Sequence, residues 1–236
     1  MGLTALASDD FNRADNVDLG TSWDVTPGGD SRFGIGGNAA VPSNFSVDCS
    51  ESNNSIAWPS NQYAQAKVTV TGTDGVSSGI GIALRMSTSA MTYYRFVVDK
   101  AASNNVAIDK FIAGTFTTLA RFTSAWTDGD VLQARAIGDR LEVYRNGTLL
   151  GSVGDNSILT GRAGIAYSSN ETSASLDDWE GGLVEIGGSP ADDRYRFRNS
   201  QLWSGTSTLG TKRSAWPDDA RDFGLRDNVA DNRSTF

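Results

Sequence analysis

An all-β, antiparallel sandwich is what this 236-residue sequence predicts. Three observations carry the expectation. Apolar and polar residues alternate with period two over many short segments. Turn formers punctuate those segments at about the 8–12-residue spacing of sandwiches, with glycine at 26 positions. Helix-building side chains are scarce: the glutamates are Glu51, Glu142, Glu171, Glu180 and Glu185, and the lysines Lys67, Lys100, Lys110 and Lys212. Long helices draw heavily on both types. The length suits one large β domain, or one domain with an appendage, and is enough to bury a core.

The strand signals follow in order. Over 63–71, Ala64, Ala66, Val68 and Val70 alternate with Gln65, Lys67, Thr69 and Thr71. Over 79–86, Ile80, Ile82, Leu84 and Met86 share one face and Gly79, Gly81 and Ala83 the other. Small residues there would admit a second layer or a ligand. Tyr94, Phe96 and Val98 continue in 92–99, and Val106 and Ile108 oppose Asp109 in 106–113. A strand over 116–122 follows the Gly114 turn, and one over 131–137 ends at Gly138-Asp139. The clearest hairpin joins 140–145 to 148–153 through Asn146-Gly147. Asn-Gly suits the two positive-φ positions of a type I′ turn. The expected core face holds Ile80, Ile82, Leu84, Phe96, Val98, Leu141, Val143 and Ile165.

The two ends of this region carry distinctive segments. Asp9-Asp10-Phe11-Asn12-Arg13-Ala14-Asp15 precedes Leu19-Gly20-Thr21-Ser22-Trp23. Gly161-Arg162-Ala163-Gly164-Ile165-Ala166-Tyr167 precedes Leu176-Asp177-Asp178-Trp179. Residues 8–183 thereby resemble the laminin-G-like, concanavalin A-like jelly-roll domains of phage structural proteins and secreted sugar-active proteins. Those domains open on D-D-F-x-R-A-[DN] and close on R-x-G-[IL] followed by [FL]-D-D-[FVW]. The resemblance implies first and last strands lying side by side, with Asp9/Asp10 near Asp177/Asp178. It implies one structural Ca²⁺ with Asp10 and Asp177 as ligands, since calcium collects carboxylate and carbonyl oxygens. The other reading makes these aspartates turn caps that accept backbone N–H bonds. Strict alternation would turn only one of Asp177 and Asp178 inward.

A break in pattern comes at Gly181-Gly182 and Gly187-Gly188-Ser189-Pro190. The expected organisation is a jelly roll over 1–183, a Gly-rich linker over 184–190 and an extended C-terminal arm over 191–236. The arm interleaves seven arginines with aromatics at irregular spacing. Arg194, Tyr195, Arg196, Phe197, Arg198, Trp203, Trp216 and Phe223 are its expected partner-docking residues, because arginine and aromatics are enriched at interface cores. Either the arm docks on a neighbouring subunit or it folds back on its own sandwich.

Composition excludes several chemistries. The net charge is −8, and residues 1–190 hold 12 basic and 21 acidic residues against 8 and 7 in 191–236. An acidic domain disfavours nucleic acid, whose phosphates need Lys/Arg neutralisation. With no histidine, Ser-His-Asp and Cys-His catalysis are absent. Cys49, the only cysteine, reads as an incidental thiol. No apolar run approaches the ~18 residues of a membrane span. The first eight residues lack the charged and apolar regions of a secretory signal. The laminarinase-type branch of the fold carries E-x-D-x-E on one strand. Asp177-Asp178-Trp179-Glu180 does not fit it and Glu142 stands alone, so an enzyme is not expected.

Two functions remain in view. One is a phage virion structural protein: a capsid decoration or cement protein, a head fibre or a tail-associated subunit. It is motivated by the arm, the missing export signal and the missing catalytic groups. Its partners would be other virion proteins and further copies of the chain, as in a trimer. Its location would be the virion, after synthesis in the host cytoplasm. The other is a secreted or surface carbohydrate-binding module, extracellular, meeting glycans through Trp58, Tyr93, Arg95 and Trp126. Lectin-like sites set exposed aromatic faces beside Asn, Asp and Arg.

Overall fold

Period-two alternation becomes strand wherever the sequence carries it. The computed structural model describes residues 1–28, 31–70, 79–99, 105–168 and 173–186. Among them are fifteen strands and no helix: β1 (Gly2–Asp9), β2 (Trp23–Val25), β3 (Phe33–Ile35), β4 (Ala40–Pro42), β5 (Cys49–Asn53), β6 (Gln62–Val70), β7 (Gly79–Met86), β8 (Tyr93–Asp99), β9 (Asn105–Ile112), β10 (Thr115–Thr123), β11 (Asp130–Ile137), β12 (Arg140–Arg145), β13 (Thr148–Gly154), β14 (Arg162–Ser168) and β15 (Ala174–Glu185). The eight strands expected over 63–153 are β6 to β13, shifted at most by a residue or two. Asn146 and Gly147 both take positive φ, 48° and 76°, as their hairpin requires.

The strands form two antiparallel sheets. The first runs β13-β12-β11-β6-β15-β4-β3, with β1 added on β15; the second runs β10-β9-β8-β7-β14-β5-β2. Between them lies one apolar core. Ile80, Ile82, Leu84, Phe96, Val98, Leu141, Val143 and Ile165 are all fully buried in it. Strand β7 is buried on both faces along its whole length. One residue breaks its apolar run: Arg85, at φ 55°, bends inward and donates to the carbonyls of Ser60, Ile158 and Gly138. It therefore ties three loops to the strand.

The ends lie side by side. β1 pairs antiparallel with β15, from Gly2↔Glu185 to Asp9↔Trp179. Two features differ from the sequence expectation. Gly181-Gly182 does not end the domain: β15 runs through both glycines to Glu185. A Cβ at Gly182 would collide with the Thr4 carbonyl oxygen, and one at Gly181 would stand 2.7 Å from the Trp58 ring. These glycines serve close approach within the sheet. Alternation also fails in Leu176-Asp177-Asp178-Trp179, because a bulge with Asp178 at φ 48° inserts a residue. Leu176 and Trp179 therefore both face inward.

The aspartates expected to hold calcium lie at this junction. Asp9 accepts Arg13 twice, at 2.6 and 3.1 Å, the Trp23 indole at 2.9 Å and the Phe11 amide at 2.9 Å. Asp10 accepts the Asn12 amide, Asp177 accepts the Asp178 amide, and Asp178 pairs with Lys67. No acidic group of three or more able to hold a metal ion occurs among the described residues. Arg13 pairs with Asp9 and Lys67 with Asp178, so cations sit beside two of the four aspartates. Asp10 and Asp177 thus act as caps, and the ends are latched by hydrogen bonds. A row of rings completes the latch: Phe11 to Trp23 at 5.9 Å, Trp23 to Trp179 at 4.9 Å, Trp179 to Trp58 at 6.0 Å.

Candidate binding face on the second sheet

The outer face of the second sheet follows from register. Ser52 pairs with Gly164, Gly164 with Ala83, Ala83 with Arg95, and Arg95 with Asp109. The next row runs Ser50, Ala166, Gly81, Val97, Ala107. In these two rows the central strands β7 and β14 present only glycine and alanine outward, with Met86 of β7 packed beside them. Large side chains rise beside them on β8, β9 and β10, where Tyr93, Phe111 and Phe116 form a third row. The large side chains make a wall, and Tyr93 and Met86 lie over the small residues beside it.

The wall is an aromatic and ionic cluster. Arg95 donates to Asp109 Oδ2 from Nη2 and Nε, at 3.0 and 3.3 Å, and Nη1 lies 3.4 Å from Asp48 Oδ2. The guanidinium sits 4.9 Å from the Phe111 ring centre and 5.5 Å from that of Phe116. Tyr93 stacks on Phe111 at 4.8 Å and packs over Ala83, Met86 and Ala166. Burial raises the pKa of its hydroxyl, which is hydrogen-bonded to Ser50. Ser50 in turn donates to Thr26. The side chains of Arg95 and Asp109 are 5% and 2% exposed, whereas that of Asp48 is 40% exposed. Phe116 stands out at 49%.

One atom in this cluster has no partner. Asp109 Oδ1 is buried and accepts no hydrogen bond among the described residues. An unmet buried acceptor costs about 1–3 kcal/mol, and Asp109's other oxygen is fully engaged by Arg95. The face therefore holds a half-exposed ring, an exposed carboxylate and a fixed cation.

Of the residues expected to meet a glycan, Tyr93 and Arg95 come together here. Trp58 and Trp126 do not join them. Trp126 is buried in the main core, with Arg145 5.8 Å from its ring. Trp58 is half-buried at the latch, its indole donating to the Asn53 carbonyl at 2.7 Å. Both are large rings flanked by loops, and burial of their area outweighs display. Asp109, Phe111, Phe116 and Asp48 were missed. The signal for Asp109 was its place opposite Val106 and Ile108; its pairing with Arg95 is a matter of register. The expected partner-docking residues, at 194–223, lie outside the described residues.

No family model and no curated protein sequence matches the chain. Solved structures do. The carbohydrate-binding module CBM66 from Bacillus subtilis is 20% identical over 70% of this chain and 98% of its own, with a TM-score of 0.55. The fold is a concanavalin A-like jelly roll of the galectin-like kind. A Bacillus subtilis protein of unknown function with a galectin-like fold agrees, at 8% identity over 77% of this chain and 98% of its own, with a TM-score of 0.52. So does the exoplasmic/lumenal domain of VIP36 in its Ca²⁺/Man3GlcNAc-bound form, at 10% identity, 79% and 94% coverage and a TM-score of 0.53. At these identities the likeness is one of jelly-roll architecture.

Proposed function

We propose that this jelly roll is a non-catalytic carbohydrate-binding module whose glycan sits on the outer face of the second sheet. The observation that carries the reading is the half-exposed Phe116 ring, 5.5 Å from the Arg95 guanidinium, with the more exposed Asp48 carboxylate on the other side of that guanidinium. A sugar offers hydroxyl donors for the Asp48 carboxylate, oxygen acceptors for the guanidinium and an apolar C–H face for the ring. Asp48, more exposed and more loosely held by Arg95, is the carboxylate that a ligand displaces most easily. Two of the similar structures are named for carbohydrate binding or carry a bound oligosaccharide, which supports the reading. On this reading the domain works outside the cell, secreted or on a surface. The virion reading rests on residues 191–236, outside the described residues, and draws no support from the face.

The test is a glycan array followed by calorimetry on the full chain, with Phe116→Ala as the variant. Phe116 is exposed enough that its truncation should leave the melting temperature nearly unchanged. At least one glycan should bind, about tenfold or more weakly in the variant. Silence of the wild-type chain on every glycan overturns the proposal.

A further inference from the structure

The first sheet keeps one long strand with an unused side. β1 pairs with β15 and with no other strand among the described residues, and Gly2 to Leu6 are all exposed. The edges of β10 and β13 differ: the Phe122 ring fills the space that a Cβ at Gly151 would need. An edge strand turns unpaired N–H and C=O groups to solvent, ready for another strand. Proteins guard such edges with lysine, proline or charge. Residues 2–8, Gly-Leu-Thr-Ala-Leu-Ala-Ser, contain none of these. Their regular stretch, Gly2 to Ala5, ends at a register shift before Ala7.

This edge has two unlike sides. On one, Leu3 lies opposite Val184, and the exposed Ile186 follows just past the strand. On the other, Thr4 donates to the exposed Glu185 at 2.6 Å. The sequence Arg194-Tyr195-Arg196-Phe197-Arg198 is two-sided in a matching way. Extended, such a segment sets both rings on one side and all the arginines on the other.

We propose that residues 194–198 of a second copy add to the free edge of β1 as an outer strand, with Tyr195 and Phe197 over Leu3 and the arginines towards Glu185. Charge selects this occupant. Residues 1–190 hold 12 basic and 21 acidic residues, whereas 194–198 carry arginine at every second position. A second β1, running antiparallel, would instead carry the exposed Asp10 of one copy towards the exposed Glu185 of the other. Position selects the copy. Residues 187–236 follow directly on Glu185, which pairs with Gly2, so each receiving edge lies at the root of an arm. Two such edges related by a twofold axis exchange arms and close the pair. The contact uses no residue of the glycan face and stands or falls separately from it.

Sedimentation equilibrium on the full chain tests it. The chain should form dimers that weaken as salt rises, because exposed charge pairs are screened. Leu3→Lys and Phe197→Ala should each raise the dimer dissociation constant about tenfold or more. Leu3 is exposed, so Leu3→Lys at monomeric concentration should melt as the wild-type monomer does. Glu185→Arg and Arg196→Glu should each weaken the dimer, and the two together should restore much of the loss. Mild oxidation of a mixture of Leu3→Cys chains and Phe197→Cys chains should join one chain of each kind. A wild-type chain that stays monomeric at every concentration, or assembles beyond two copies, overturns the proposal. Dimers that survive Leu3→Lys or Phe197→Ala overturn it too, as does a mixture that dimerises without cross-linking.

Discussion

At the scale of single residues, Glu51 and Asp9 are carboxylates pushed in opposite directions. Burial lifts Glu51 from 4.5 to about 7, against a lowering influence from the Phe33 amide and Arg32 and with further raising by Asp18 and Asp24. Burial also pushes Asp9 up, but the bonds from Arg13, Trp23 and Phe11 outweigh it and hold that carboxyl below its usual range. The consequences for stability have opposite sign. The unfolded chain gives up the Glu51 proton at a lower pH than the native one does. Glu51 therefore destabilises the fold progressively as pH rises from 4.5 to about 7, by about 3 kcal/mol in all. Asp9 stabilises it at neutral pH and loses that contribution on acidification. Urea melts across this range should show Glu51→Gln more stable than wild type at about pH 8 and nearly equal at about pH 4. A constant difference at all pH values would refute the assignment. None of this is legible locally. Cys49-Ser50-Glu51-Ser52-Asn53 has no apolar alternation, yet every residue of it is buried. Its burial comes from neighbours on β14 and β2 that the local pattern does not announce. Cys49 shares that burial, which pushes its thiol pKa up and leaves it unreactive.

At the scale of elements, long strands were readable and short ones were not. β6 to β13 carry their own period and turns, so their existence and facing follow from the residues. β2, β3 and β4 have three residues each, too few for any period to show. They are strands because longer neighbours offer them edges. The same limit applies to the binding face. Tyr93 and Arg95 could be singled out as side chains, but their meeting with Phe111, Phe116 and Asp109 depends on cross-strand register. The latch between β1 and β15 shows how much local bonding a recognisable motif can carry. Its aspartates suggested a metal; they hold an indole, a guanidinium and two left-handed residues, Phe11 and Asp178. A φ of 52° is costly for a buried phenylalanine, and the Asp9 carboxylate offsets it by accepting the Phe11 amide. Asp9→Ala should therefore cost about 2–3 kcal/mol in chemical denaturation. Calcium or a chelator should not alter the melting temperature of either form. A calcium-dependent rise in the wild-type chain would restore the metal clamp.

At the scale of the whole molecule, the sandwich and the C-terminal residues pose separate questions. If the glycan face belongs to the jelly roll alone, a chain ending at residue 186 should melt cooperatively and bind the same glycans as the full chain. If residues 191–236 dock on a neighbouring subunit, only the full chain should exceed monomer mass in solution. Equal monomer masses would remove the docking expectation and leave glycan binding untouched. The pairing of Gly2 with Glu185 has a further consequence, for synthesis. The first strand of the sandwich to be synthesised has the last as its partner. At roughly 5–20 residues per second, β1 waits about 10–40 s before β15 exists. During that interval the latch cannot close, and Leu3 and Leu6 travel on an unpaired strand. A nascent chain stalled before residue 174 should therefore stay open to protease at its N-terminus, and chain completion should seal it.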